Sequence, residues 1–76
     1  MNTNNYIVDA WLVKEGTSLK TLRYILDSGE EFYGISVDEN TRMTHIGRNT
    51  ITFVDSFNCI YSYNIFTGTY DYIGGK

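Results

Sequence analysis

The sequence predicts an all-β fold, an antiparallel meander of six to seven short strands that forms a small barrel or sandwich. Turn-forming residues recur at intervals of about eight to twelve residues, which is the spacing of antiparallel strands. The segments between these turns are rich in Ile, Val, Thr, Tyr and Phe, residues that suit a pleated, half-buried surface. Several segments carry apolar groups on both faces, which favours two packed sheets or a closed barrel over one flat sheet.

The first three strands are expected near residues 6–14, 20–27 and 31–37. The first of them contains the longest uninterrupted apolar run of the chain, Ala10 to Val13, and ends at a turn that contains Gly16. In the second, apolar side chains take every other position, as in a half-buried strand; they are Leu22, Tyr24 and Leu26.

The last four strands are expected near residues 41–46, 50–55, 58–66 and 69–73. They follow turns rich in Asn, Asp and Gly, residues that supply or tolerate positive φ. Alternation predicts one shared face in segment 58–66 for Cys59, Tyr61, Tyr63 and Ile65. In the last segment Tyr70 and Tyr72 would lie on one side of the strand. Closure into a barrel would remove exposed strand edges, which no proline and few lysines protect here.

One segment also fits a helix. Its apolar residues follow helical spacing, Ser18 is a candidate N-cap and Gly29 is a candidate C-terminal glycine; the apolar residues are Leu19, Leu22, Ile25 and Leu26. The alternative fold is therefore α+β, with one helix at about 18–28 packed on a four- to five-stranded antiparallel sheet. An apolar run this short does not distinguish the spacing of a helix from the alternation of a strand.

Length and charge limit the classes of function. The 76 residues make a single domain, 1–76, in which we expect residues 1–5 and 74–76 to be flexible. A chain of this size buries only about 60% of the surface that its unfolded form exposes, and one cysteine cannot form an internal disulfide, so we expect association with a partner or with further copies. The net charge of −3, with scattered Lys and Arg, disfavours nucleic-acid binding.

The sequence also limits where the protein is expected to act. Residues 1–5 lack the basic and apolar regions of a secretory signal. No run approaches the ~18 apolar residues that cross a membrane. We therefore expect a cytoplasmic protein that does not enter a membrane.

No catalytic motif is evident. Cys59 and His45 are the only thiol and the only imidazole, and their spacing does not indicate the contact that a nucleophilic pair needs. Cys59 falls in phase with Tyr61, which is typical of a small buried residue. A zinc site needs three or four ligands. We expect no enzyme activity, no catalytic residues, no cofactor and no metal.

Two features predict a surface for a protein partner. Acidic residues cluster in two neighbouring predicted turns, where a negative potential would attract a basic partner; the candidates are Glu30, Glu31, Asp38 and Glu39. Half of the twelve aromatic residues fall in the last twenty positions, more than so small a domain is expected to enclose. Tyrosine is enriched at interfaces, and the aromatic candidates are Tyr61, Tyr63, Phe66, Tyr70 and Tyr72.

The segment from Ile25 to Gly34 resembles the first motif of the Sm-like small barrels. It consists of an apolar strand, a tight acidic turn and a return strand with an aromatic-x-Gly pattern. The second Sm signature, with its basic RNA-contacting residue, is not evident. The resemblance implies a homo-oligomeric small barrel that binds RNA or single-stranded DNA, and this is the alternative function.

The function that the sequence favours is that of a non-catalytic, small acidic interaction protein. It would bind and modulate or inhibit a protein partner with a basic surface, through a Tyr-rich strand pair and acidic turns. Proline-free, cysteine-poor acidic chains of this size are a common form of stand-alone inhibitor. Phage and mobile-element proteins that block nucleic-acid-processing machinery are one such class, and such machinery is the expected kind of partner.

Overall fold

Seven antiparallel strands build the chain in a computed structural model that describes residues 6–16 and 18–75. They are β1 (Ile7–Glu15), β2 (Leu19–Leu26), β3 (Glu31–Asp38), β4 (Arg42–Ile46), β5 (Thr50–Val54), β6 (Cys59–Asn64) and β7 (Thr69–Gly75). The all-β prediction is confirmed, and the strand bounds lie within two residues of the expected ones.

The strands form two sheets, in which each strand pairs with its neighbours along the chain. The first sheet has the order β1-β2-β3 and the second has the order β4-β5-β6-β7. The chain is therefore the expected meander, divided between two sheets rather than closed into one barrel. As a result β4 and β7 form the two edges of the second sheet.

A single core lies between the inner faces of the two sheets. Leu22 of β2 and Ile51 and Phe53 of β5 have no exposed surface, so the central strands of both sheets contribute its best-buried side chains. Aromatic rings extend the core within each sheet. Tyr24 stacks on Phe32 in the first sheet, with the ring centroids 5.5 Å apart.

The helix considered at 18–28 is wrong, because most of this segment forms β2, the central strand of the first sheet. Tyr24 lies opposite Ala10 of β1 on one side and opposite Phe32 of β3 on the other. Backbone pairing on both sides requires an extended chain. The burial of Leu22, Tyr24 and Leu26 at every second residue then outweighs the helical spacing of the apolar residues.

Two turns hold the sheets together. The chain crosses from the first sheet to the second after Asp38, whose Oδ1 accepts hydrogen bonds from the Asn40 N–H (2.8 Å) and from the buried Thr41 hydroxyl (3.2 Å). At the turn between β4 and β5, the carbonyl of Arg48 accepts a hydrogen bond of 2.8 Å from the N–H of Ile7 in β1. These contacts fix the position of the second sheet relative to the first.

The last strand is two residues longer than expected. Gly74 and Gly75, for which flexibility remains a prediction, belong to β7 and lie opposite Ile60 and Cys59. Gly75 has a φ of +111°, and a Cβ there would overlap the carbonyl oxygen of Asn58. Residues 1–5 and Lys76, the rest of that expectation, lie outside the described residues.

Candidate functional site

The edge of the second sheet that β7 forms is the most exposed part of the fold. Among the described residues, β7 pairs with β6 on one side and with no strand on the other. All seven of its residues are exposed to solvent. The exposed fraction is 49% for Tyr70 and 65% for Tyr72. Both lie on the face of the second sheet that contributes to the core on the inner strands.

The rings of Tyr70 and Tyr72, called here the tyrosine patch, rest on a buried ring. The strand register places Tyr72 opposite Tyr61 and Tyr70 opposite Tyr63, so all four point to the inner face of the sheet. The Tyr61 ring centroid lies 5.3 Å from that of Tyr70 and 5.4 Å from that of Tyr72. On its other side Tyr61 stacks on Phe53, at 5.4 Å. The patch is thus supported from below by the core.

Tyr61 and Tyr63 are not part of an exposed surface, contrary to the prediction from the sequence. Each is only 7% exposed. The physical reason is the position of their strand, because β6 lies between β5 and β7 and its inner face contributes to the core. They support the tyrosine patch, while the exposed part of the expected strip is confined to β7.

Phe66 lies in the turn between β6 and β7, outside the patch. Asn64 shapes this turn, since its Oδ1 accepts hydrogen bonds from the backbone N–H groups of Phe66 (2.8 Å) and Thr67 (3.2 Å). The Phe66 side chain is 63% exposed, and the aromatic pairs of the described residues do not include it. It therefore adds apolar surface next to β7 without the support that Tyr61 gives to the patch.

The four acidic candidates do not form one surface. Glu30 and Glu31 lie at the beginning of β3, and Asp38 and Glu39 lie at its end. A strand of eight residues is about 25 Å long, which is more than twice the screening length of about 10 Å at about 0.1 M salt. The expected single acidic face is therefore replaced by two separate acidic turns.

Three of these carboxylates already bind neighbouring groups. The Arg23 guanidinium forms an ion pair with Glu31, and the Nζ of Lys14 lies 3.3 Å from Oε1 of Glu39. The Asp38 carboxylate binds the turn that connects the two sheets, as described above. These contacts reduce the charge that the three carboxylates offer to a partner.

The surroundings of Tyr61, the buried ring below the tyrosine patch, favour its neutral form. The pKa of Tyr61 is raised above 10.0, mainly by burial, while a hydrogen bond with the Thr41 side chain lowers it. The negative charges of Asp55 and Asp38 add to the rise, as does Tyr72. The sequence did not single out Asp55, whose turn follows β5.

The strands around the patch carry no positive charge in the sequence. Residues 49–75, which include β5, β6 and β7, contain no Lys, Arg or His, whereas Asp55 and Asp71 lie within this range. Asp71 is exposed and lies opposite Ser62, on the outer face of the sheet. The charged residues of this range are therefore both acidic, and Asp71 is the one that belongs to β7.

A further exposed tyrosine lies on the first sheet, next to a positively charged side chain. Tyr33 is 64% exposed, and the Arg23 guanidinium lies over its ring at 4.6 Å from the centroid. The register also places Trp11 opposite Arg23 on this outer face. Because a cation already covers one face of its ring, Tyr33 serves as a matched contrast to Tyr72.

The two residues considered for nucleophilic chemistry lie apart. Cys59 is on β6 with its side chain on the face of Tyr61, whereas His45 is on β4 opposite Thr52, on the other face of the sheet. No group of three or more His, Cys, Asp or Glu side chains in the described part of the chain could hold a metal ion. Nor do residues 6–16 and 18–75 contain a helix that is long and apolar enough to cross a membrane.

Comparison with known proteins identifies no relative of this chain. No protein-family model, no curated protein and no solved structure matches the chain. The likeness to the first Sm motif is therefore a likeness of the segment from Ile25 to Gly34 alone. The function of this fold has to be inferred from the β7 edge and the tyrosine patch.

Proposed function

We propose that this protein is a non-catalytic interaction protein that binds a protein partner with a basic surface through the β7 edge and the tyrosine patch. By covering that surface it modulates or inhibits the partner. The observation that carries the proposal is the placement of two exposed rings, Tyr70 and Tyr72, on the unpaired edge strand and directly on the buried ring of Tyr61.

Aromatic side chains that are held in place suit binding for an energetic reason. Tyrosine offers a large contact area and a polar hydroxyl, and it loses little conformational entropy when a partner covers it. The contacts of Tyr70 and Tyr72 with Tyr61 already restrict their rotamers before any partner binds. Such anchors carry much of the binding energy in known interfaces.

The charge around the patch favours a basic partner. Asp71 lies on the outer face of β7, and residues 49–75 contain no Lys, Arg or His. Negative groups around an aromatic centre accelerate association with a positively charged surface and disfavour acidic competitors. Proteins that process nucleic acids present such surfaces, because they neutralise phosphates with Lys and Arg.

Capture from host-cell lysate tests the proposal with matched variants. The immobilised wild-type protein is compared with a Tyr70→Ala/Tyr72→Ala variant and with Tyr33→Ala, which removes an equally exposed ring from the first sheet. We expect wild type and Tyr33→Ala to retain the same basic protein and the double variant to lose it. Raising the salt from about 0.1 M to about 1 M should release it, because the screening length falls from about 10 Å to about 3 Å.

Circular dichroism of the three proteins provides the control for folding. The double variant has to keep the β-sheet spectrum of wild type, as expected for a change on an exposed edge. Retention of the same protein by wild type and both variants, or no specific retention by wild type, would show that the patch is not a binding surface.

A further inference from the structure

We infer that β7 takes up an extended segment of the partner as an added strand, and that this segment alternates apolar side chains with Lys or Arg. The inference rests on the proposed function and specifies the chemistry of the partner. It joins two properties of β7: an unpaired backbone edge, and side chains that differ between the two faces.

The backbone of β7 provides the template for an added strand. An edge strand presents a row of unpaired N–H and C=O groups, and several recognition domains bind peptides by pairing with such an edge. Proteins usually protect a free edge with proline, lysine or an inward-pointing charge. The sequence of β7 (Thr69–Gly75) has no proline and no lysine, and its one charged residue, Asp71, points to the outer face.

The register defines which part of the edge is regular. From Thr69 to Tyr72 each residue of β7 has a direct partner on β6. A register shift follows at Ile73, and Gly75 then has a φ of +111°. An added strand therefore pairs most closely with the segment from Thr69 to Tyr72, where the tyrosine patch lies.

The side chains of this segment determine what the added strand has to carry. Residues directly opposite on neighbouring strands share a face, with Cβ atoms about 4.5–5.5 Å apart. Positions opposite Tyr70 and Tyr72 face the tyrosine rings, so apolar side chains suit them. The position opposite Asp71 faces a carboxylate, so a Lys or Arg suits it.

Charge complementarity selects a basic segment over a second copy of this chain. Residues 49–75 contain no Lys or Arg, so the same edge of another copy would add no cation. Pairing of two β7 strands around Asp71 would also place this carboxylate opposite its equivalent, and like charges in that position destabilise a sheet. A basic strand, by contrast, would place a cation opposite Asp71 and neutralise it.

The test uses the full chain, labelled with ¹⁵N, and synthetic peptides of about nine residues, the length of a long strand. The first peptide alternates Val with Lys, the second has the same composition in scrambled order, and the third has Glu in place of Lys. Two further versions of the first peptide are N-methylated on the residues of one backbone edge or of the other. We expect the alternating peptide to shift the amide signals of residues 69–72.

The methylated peptides distinguish strand addition from simple contact with the rings. Only one edge of an added strand donates hydrogen bonds to β7, so methylation of that edge should weaken binding by about tenfold or more, equal to about 1.4 kcal/mol. Methylation of the other edge should have little effect. The Glu peptide should not bind, and Asp71→Asn should weaken the binding of the Lys peptide.

Equal binding of the alternating and scrambled peptides, equal effects of the two methylation patterns, or no binding would overturn the inference. A dimer in light scattering, with concentration-dependent shifts confined to β7, would also overturn it, because a second copy would then occupy the edge. Each of these results leaves the proposed function open to its own test, since capture that depends on Tyr70 and Tyr72 does not require an added strand.

Discussion

The ring of Tyr72 meets the ring of Tyr61 nearly edge-on, with an interplanar angle of 61° and the centroids 5.4 Å apart. Tyr72 is exposed and Tyr61 is buried, so this one contact connects the surface of the molecule with its core. A change at Tyr61 should therefore affect both stability and the tyrosine patch. A change at Tyr72 should affect mainly the patch.

Replacement of these two residues by alanine should have very different effects on stability. Tyr61→Ala leaves a cavity among Phe53, Tyr70 and Tyr72, and we expect it to lower the free energy of unfolding by about 3–5 kcal/mol. Tyr72→Ala removes the edge-on contacts of an exposed ring with Tyr61 and Tyr70, and we expect a loss of about 1–2 kcal/mol. Urea denaturation of both variants measures the difference, and equal losses would contradict the described burial.

Alkaline pH should destabilise the fold through two buried tyrosines. Burial is the main cause that raises the pKa of Tyr24 and of Tyr61 above 10.0, and the unfolded chain keeps the ordinary value. The stability that comes from their neutral form is complete below about pH 10 and is lost as the pH rises through the higher folded pKa values.

Denaturant midpoints between about pH 9 and about pH 12 test this dependence. The loss of stability should be shallower in Tyr24→Phe and in Tyr61→Phe, which have no phenol at these positions. Tyr33→Phe changes an exposed tyrosine and is the control. The same slope in all four proteins would contradict the prediction.

Gly34 should be sensitive to the smallest possible side chain. A Cβ at this position would lie 2.7 Å from Cδ2 of Leu22 and 3.2 Å from its Cγ, and Leu22 is fully buried and cannot turn away. We expect Gly34→Ala to destabilise the protein by about 1–3 kcal/mol. Leu22→Ala alone should cost about 2–5 kcal/mol, and the double variant should lose less than the sum of the two. Strict additivity in thermal or urea unfolding would mean that the two residues do not interact.

The two glycines at the end of β7 should respond differently to alanine. Gly75 has a φ of +111° and a close backbone neighbour in Asn58, so we expect Gly75→Ala to destabilise the end of β7 by about 1–3 kcal/mol. Gly74 has open space around it and is the matched control. Hydrogen exchange of the amides of residues 70–75 should accelerate in Gly75→Ala and remain nearly unchanged in Gly74→Ala.

Much of the fold could be predicted because its signals are local. Each turn is marked by Gly, Asn or Asp, so the spacing of these residues located the strands. Alternation also placed Tyr70 and Tyr72 on one face of β7. The helical spacing in segment 18–28 was misleading. This segment is extended because β2 pairs with β1 and β3, and the pattern within the segment itself carries no information about those two strands.

The candidate site was only partly predictable, because exposure depends on the order of the strands. Tyr61 and Tyr72 look alike in the sequence, yet one lies on an inner strand and the other on an edge strand. The acidic residues Glu31 and Asp38 are close in sequence, but the extended strand between them keeps them apart.

The meander has a consequence for how the chain folds. Every ladder joins strands that are consecutive in the sequence, so each closes a short loop with a small entropic penalty. Low contact order accelerates folding. We therefore expect the two halves on either side of residues 39–41 to nucleate separately within the nascent chain. Their docking, which sequesters Thr41, would then be the slow and cooperative event.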